Sequence, residues 1–190
     1  DSRDITRTGF EVTQKVGNHT HIFTPFVTLE KYHTDVMVFL PKAKTHFQML
    51  LRMAASMVGQ NGRIHVVGEN KGGIKSLAKL AKKQFTYCEK LDSARHCILF
   101  EAGFQPESKP FDIEDWFHYY SLNVAQTEIK IAALPGVFSQ EKLDVGTSIL
   151  LNNFHPELTG KMLDFGCGAG VIGAFYGMRH PVLDITMADV

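Results

Sequence analysis

The chain has 190 residues, 44% of them apolar, with 20 basic and 20 acidic side chains that cancel to a formal net charge of zero. That apolar share can bury the core of one or two domains, and the balanced charge excludes a general attraction to nucleic acid, so any RNA contact must be local. No apolar run approaches the roughly 18 residues of a membrane span, and the polar start DSRDITR does not read as a signal peptide.

The three cysteines, Cys88, Cys97 and Cys167, lack the close pairing of a zinc or redox site. They read as reduced thiols of a cytoplasmic protein. A chain that opens without Met and stops at Val190 reads as part of a longer one.

Taken in order, residues 1–34 alternate short β-type runs with Gly, Asn, Thr and Pro, and predict short strands and loops. His19 and His21 share one strand face, but nothing nearby supplies a third metal ligand, so a polar strand edge is expected. VMVFL at 36–40 is a continuous apolar run, as in a strand buried on both faces of a parallel sheet. HFQMLLRMAASMV at 46–58 has helical spacing and runs to Gly59, Asn61-Gly62 predicts a turn, and RIHVVGE at 63–69 predicts a second strand. Strand, helix and strand make the right-handed crossover of an α/β fold. A second helix is expected over Lys75 to Phe85, with Leu77, Leu80 and Ala81 on one face and lysines on the other, then a strand at 98–100.

The loop GENKGGIKS at 68–76 resembles a phosphate-binding P-loop but fails on count. Ile74 occupies the position where the motif needs Lys, and Lys75 comes one residue late. On a helix start that slip turns the side chain by about 100°, so a structural turn is expected. Residues 101–126 read as the connection to a second unit. Their cluster Trp116, Phe117, Tyr119 and Tyr120 is too dense to share one helical face; it predicts an interdomain packing patch, with base stacking as the alternative. EIKI at 128–131 alternates as a short strand, and LPGVFS leads through a turn into a helix that begins near Asp144.

The most informative stretch is LDFGCGAGVIG at 163–173. Gly166, Gly168 and Gly170 remove every second side chain from a turn, so the backbone can bend sharply and lie against a ligand. Val171, Ile172, Ala174 and Phe175 then give helical periodicity, and a helix N-terminus after a strand favours a nucleotide-type ligand. Gly168, Gly170 and Gly173 fit the dinucleotide fingerprint G-x-G-x-x-G, which stays an alternative, as does an unliganded structural turn. The fuller pattern is D-x-G-x-G-x-G from Asp164. A second apolar run, 182–187, ends in Ala188-Asp189, 25 residues after Asp164, and a carboxylate at that strand end is placed to accept from both ribose hydroxyls.

Asp164 to Gly170 resembles the first motif of class I S-adenosylmethionine-dependent methyltransferases, in which that acid lies near the amino-acid end of the cofactor. With VFLPKAK at 38–44, HVVGENKGGIKS at 65–76, LDSARHC at 91–97, LPGVFS at 134–139 and LDVG at 143–146, the chain resembles the bacterial ribosomal RNA small subunit methyltransferase C family. The resemblance covers roughly residues 35–190. It implies an α/β fold in two parts: a degenerate, Rossmann-like methyltransferase domain over 1–125 without a cofactor site, then the first part of a second, catalytic class I domain over 126–190. It also implies S-adenosylmethionine as cofactor, bound at Asp164, Gly166, Cys167, Gly168, Gly170 and Asp189. The implied reaction is methylation of a guanine N2 amine in small-subunit ribosomal RNA or the 30S subunit, by a cytoplasmic, monomeric enzyme without a membrane partner.

Two departures limit the carry-over. Leu40 stands where an active copy of the first domain would carry the Asn of Asn-Pro-Pro-Phe, and an apolar side chain cannot accept from an amine. The corresponding motif of the second domain is expected well after Asp189, so no catalytic residue is assigned in this chain. A non-catalytic alternative uses Lys71, Lys75, Lys79, Lys82 and Lys83 as a local basic patch for RNA phosphates, or as a plain solvated face; a methyltransferase acting on another nucleic acid or a small molecule is the remaining alternative.

Overall fold

The computed structural model describes residues 12–23, 27, 33–80, 84–104, 110–154 and 156–189. Two short strands, β1 (Val12–Val16) and β2 (His19–Phe23), pair antiparallel around Gly17. His19 and His21 lie exposed on β2.

The first core forms around strand, helix and strand. β3 (His33–Phe39) pairs parallel with β4 (Val58–Glu69), and α1 (Lys44–Met57) makes the crossover between them. Phe47, Leu51 and Ala54, at helical spacing of four and three, bury against Val38, Ile64, Val66 and Ile98. Each fully buried aliphatic side chain contributes about 1.5–3 kcal/mol, which is why this patterned stretch folds as expected. Asn61-Gly62 does not break the chain. It sits in an irregularity of β4, where the pairing with β3 jumps from His33↔Val58 to Asp35↔Arg63.

The remainder of this sheet differs from expectation. β5 (Phe85–Ala94) and β6 (Cys97–Phe104) form a hairpin, and β6 pairs antiparallel with β4, giving the order β3-β4-β6-β5. The sheet is therefore mixed rather than parallel. Among the described residues, helical structure after residue 73 comprises a 3-10 turn at Ile74–Ser76 that runs into α2 (Leu77–Leu80), and Phe85 is no longer helical. Phe85 instead starts a strand and meets Phe104 edge to face, ring centroids 4.7 Å apart. Ala81, Lys82 and Lys83 lie outside the described residues. Ile74 and Leu77 are fully buried in the first core, so the P-loop-like segment is a plug for that core, as its count implied.

VMVFL is also not covered on both sides among the described residues, since Met37 and Phe39 are 59% and 72% exposed. A polar row crosses the same face. Asp35 pairs with Arg63 at 2.8 Å and with His65 at 2.9 Å, and Tyr87 donates to Glu101 at 3.0 Å. His65 and then Arg63 hold the Asp35 carboxyl below its ordinary range.

After a 3-10 turn at Ile113–Trp116, whose Asp112 side chain accepts from Glu114 N, a second core begins. The hairpin β7 (His118–Val124) and β8 (Thr127–Ala133) closes at Ala125-Gln126. β8 alternates cleanly, burying Ile129, Ile131 and Ala133. These pack with Leu151 of α3 (Val145–Asn153) and with Val171, Phe175 and Tyr176 of α4 (Val171–Arg179). α4 crosses between two parallel strands, β9 (Lys161–Phe165) and β10 (Asp184–Ala188). Among the described residues no helix is long and apolar enough to cross a membrane.

Candidate functional site

The site grows from the end of β9. Gly166, Gly168 and Gly170 all lie in the left-handed region, at φ +78°, +55° and +73°. Side-chain-bearing residues pay roughly 1–2 kcal/mol each for that conformation, so the alternation of glycines is what the turn requires. Gly166 and Cys167 donate to Ala188 O at 2.7 and 3.1 Å, which ties the turn to the end of β10. A Cβ at Gly166 would meet nothing within 4 Å. That position opens to space, as a ligand cradle would.

Both acids engage the turn. Asp164 is buried, 7% exposed, and its Oδ2 accepts from Gly173 N at 2.9 Å. Gly170, the residue that starts α4, has no side chain to cap the helix; Asp164 satisfies that orphan donor from the neighbouring strand and places negative charge at the helix N-terminus. Asp189 is exposed at the end of β10, and its Oδ2 accepts from Gly168 N at 2.5 Å. Burial, then the Asp164 and Asp189 carboxylates, raise the Cys167 thiol above its ordinary pKa, so it is not a reactive thiolate. All six residues singled out from the sequence thus meet at one turn.

Two further features shape the turn: the third glycine of the fingerprint, and a loop to which sequence reasoning gave no place here. Gly173 is a packing glycine, since a Cβ there would lie 2.5 Å from Met187 Sδ. The segment 134–140 leans on the turn: a Cβ at Gly168 would come within 3.2 Å of Phe138 O and 3.3 Å of Phe138 Cβ. This loop is anchored on every side. The Tyr120 hydroxyl donates to Ser139 O, Ser139 Oγ donates to Asp144 Oδ2 at 3.2 Å, and Gln140 Oε1 accepts from Gly136 N at 2.7 Å. The His46 imidazole of α1 fills the space beside Gly136, where a Cβ would sit 2.5 Å from Nδ1; burial lowers the His46 pKa. The signal for this loop was the LPGVFS motif itself.

The expected aromatic patch divides. Trp116 and Phe117 are half-buried and line a cleft with Thr45 of α1 and Ala133 of β8, Tyr120 is tied to the loop, and Tyr119 is 67% exposed.

A family profile described as "Methyltransferase small domain N-terminal" matches residues 6–120. The chain belongs to that family. A second profile, "Methyltransferase small domain", matches residues 128–190, the segment that holds the glycine turn. Among curated relatives, "Ribosomal RNA small subunit methyltransferase C" of Alteromonas mediterranea is 60% identical over 190 residues, covering 100% of this chain and 52% of the relative. The protein of the same name from Colwellia psychrerythraea is 48% identical over 160 residues, covering 83% and 45%. The chain spans about half the length of these relatives. Among solved structures, "T. Thermophilus 16S rRNA N2 G1207 methyltransferase (RsmC) in complex with AdoMet and Guanosine" aligns with a TM-score of 0.67 at 20% identity, covering 83% of this chain and 44% of that one. At that identity the likeness establishes the fold.

Proposed function

We propose that this methyltransferase small domain chain carries the S-adenosylmethionine site of an enzyme that methylates the N2 amine of a guanine in small-subunit ribosomal RNA. The observation that carries the reading is the glycine turn, with three left-handed glycines, an open side at Gly166 and an acid at the end of each parallel strand. The name its relatives bear supports the substrate. A free RNA or the 30S subunit as substrate form, a monomeric state and a cytoplasmic location belong to the same proposal. The division of the chain does too: 1–125 as a first unit without cofactor, 126–190 as the start of the catalytic one. The hairpin β7 and β8 straddles that division and packs with the second core.

The residues present fit this cofactor. Asp189 would accept from ribose hydroxyls, Gly166, Cys167 and Gly168 would offer backbone, and Asp164 would hold the helix N-terminus through Gly173 N. When bound, S-adenosylmethionine supplies an electrophilic methyl group on its sulfonium. The work left to the protein is to hold an amine in line with it and to keep the target base unstacked. No residue of this chain is assigned to the proton transfer, and Leu40 leaves the first unit without an acceptor at the equivalent position.

Calorimetric titration of the chain with S-adenosylmethionine and with a nicotinamide dinucleotide tests the site. Binding of the first and not the second is expected; preference for the dinucleotide would overturn the reading. Methyl transfer to small-subunit RNA is expected from the chain extended past Val190, not from residues 1–190.

A further inference from the structure

The aromatic cluster at 116–120 borders a cleft that the cofactor site does not use. We propose that this cleft seats one unstacked guanine base of the RNA substrate, separate from the base being methylated. The inference rests on the reading of the chain as part of an RNA methyltransferase.

The cleft lies where α1 of the first core faces the hairpin and loop of the second, and its volume is about 260 Å³. Sites for drug-sized ligands run from about 300 Å³ upwards, so this one suits a single planar ring system rather than a whole nucleotide or cofactor. Trp116, Phe117 and His118 supply ring surface, the element on which single-stranded RNA bases are usually stacked. Gln140 and Thr45 close one end across the two units, with Nε2 and Oγ1 3.4 Å apart.

The charge of the lining selects among bases. Glu141 and Asp115 each bring a carboxylate to the cleft, and such groups repel phosphate and accept N–H donors. Only guanine among the four RNA bases carries two adjacent donors, N1–H and the N2 amine, on one edge, and a carboxylate can accept both at once. Position fits as well. Pro135 and Gln140 line the cleft while Phe138 of the same loop abuts Gly168, so cleft and glycine turn are two sides of one loop and a strand of RNA can reach both.

Trp116 is the sole tryptophan of the chain, which makes its fluorescence a reporter at the proposed seat. With S-adenosylhomocysteine added to fill the glycine turn, titration with guanosine should quench it saturably. Inosine, which lacks only the N2 amine, should bind roughly tenfold more weakly. Glu141→Gln combined with Asp115→Asn, both at exposed positions, should abolish that difference, and Thr45→Phe should block the cleft and remove the quenching while far-ultraviolet circular dichroism stays unchanged. Guanosine without effect, or guanosine and inosine alike, overturns the proposal. Calorimetry of S-adenosylhomocysteine on the same chain reads the glycine turn separately: quenching without cofactor binding keeps the base seat and overturns the functional reading, and cofactor binding without quenching does the reverse.

Discussion

Asp189 and Cys167 sit within one turn yet differ in what they can contribute. Asp189 is a charged acceptor at a strand end, already bonded to Gly168 N, and charge-assisted hydrogen bonds are worth roughly 1.5–3 kcal/mol each. The Cys167 thiol is kept protonated by burial and by two neighbouring carboxylates, so its side chain brings neither charge nor nucleophile. Asp189→Ala should therefore weaken S-adenosylmethionine binding by more than about tenfold, whereas Cys167→Ala should cost less than about 1 kcal/mol. Isothermal titration of the two variants compares them directly, and equal losses would mean that Asp189 does not touch the ligand.

At the scale of elements, α3 depends on one cap. The Asp144 side chain accepts from Thr147 N at 3.0 Å and from Ser139 Oγ at 3.2 Å, and the Thr147 bonds are the main cause of its lowered pKa. Asp144→Ala should cost about 1 kcal/mol near neutral pH. A depressed folded-state pKa stabilises the fold above the ordinary aspartate pKa, and that contribution is lost as the pH falls through the folded value. The gap in melting temperature between the variant and the unmodified chain should thus close in acid; a gap that persists at pH 2 would show that the cap acts without its charge.

The same scale explains what the sequence disclosed. α1, β8, α3, β9, α4 and β10 were legible because period and punctuation agreed, as in Ile129, Ile131 and Ala133 on β8 or the glycines before α4. β5 and β7 were missed because their hairpins close on Arg95-His96 and Ala125-Gln126, with φ of +47°, +67°, +44° and +63°. Two-residue turns of this hand usually announce themselves through Asn-Gly or Asp-Gly. Here the strand pairing imposes the conformation on residues that do not prefer it, and no local signal marks the turn. The helix expected over 75–85 is met over 75–80 but not at Phe85, which opens β5 and packs edge to face on the Phe104 ring.

For the molecule as a whole, the two cores meet at Gly136, which combines φ +95° with the His46 imidazole beside it. Gly136→Ala should cost more than about 1 kcal/mol, one part from the left-handed backbone and one from the clash. His46→Ala made in that background should recover the clash and leave the backbone strain. Urea midpoints of the two single variants and the double variant separate these parts, and the absence of recovery would remove His46 from the contact. The glycine turn and the elements that flank it were readable from sequence, but this seam was not, because it joins residues 46 and 136, which share no motif.

The bond from Gly168 N to Asp189 Oδ2 has a consequence for affinity. A ligand that needs either group does not enter a vacant place; it displaces a competitor tethered to the same chain, whose effective concentration no dilution can lower. Its apparent dissociation constant is the intrinsic one divided by the fraction of time that internal contact is open. Shortening or lengthening the side chain at residue 189 therefore changes two quantities at once, the strength of the acceptor and the occupancy of its rival.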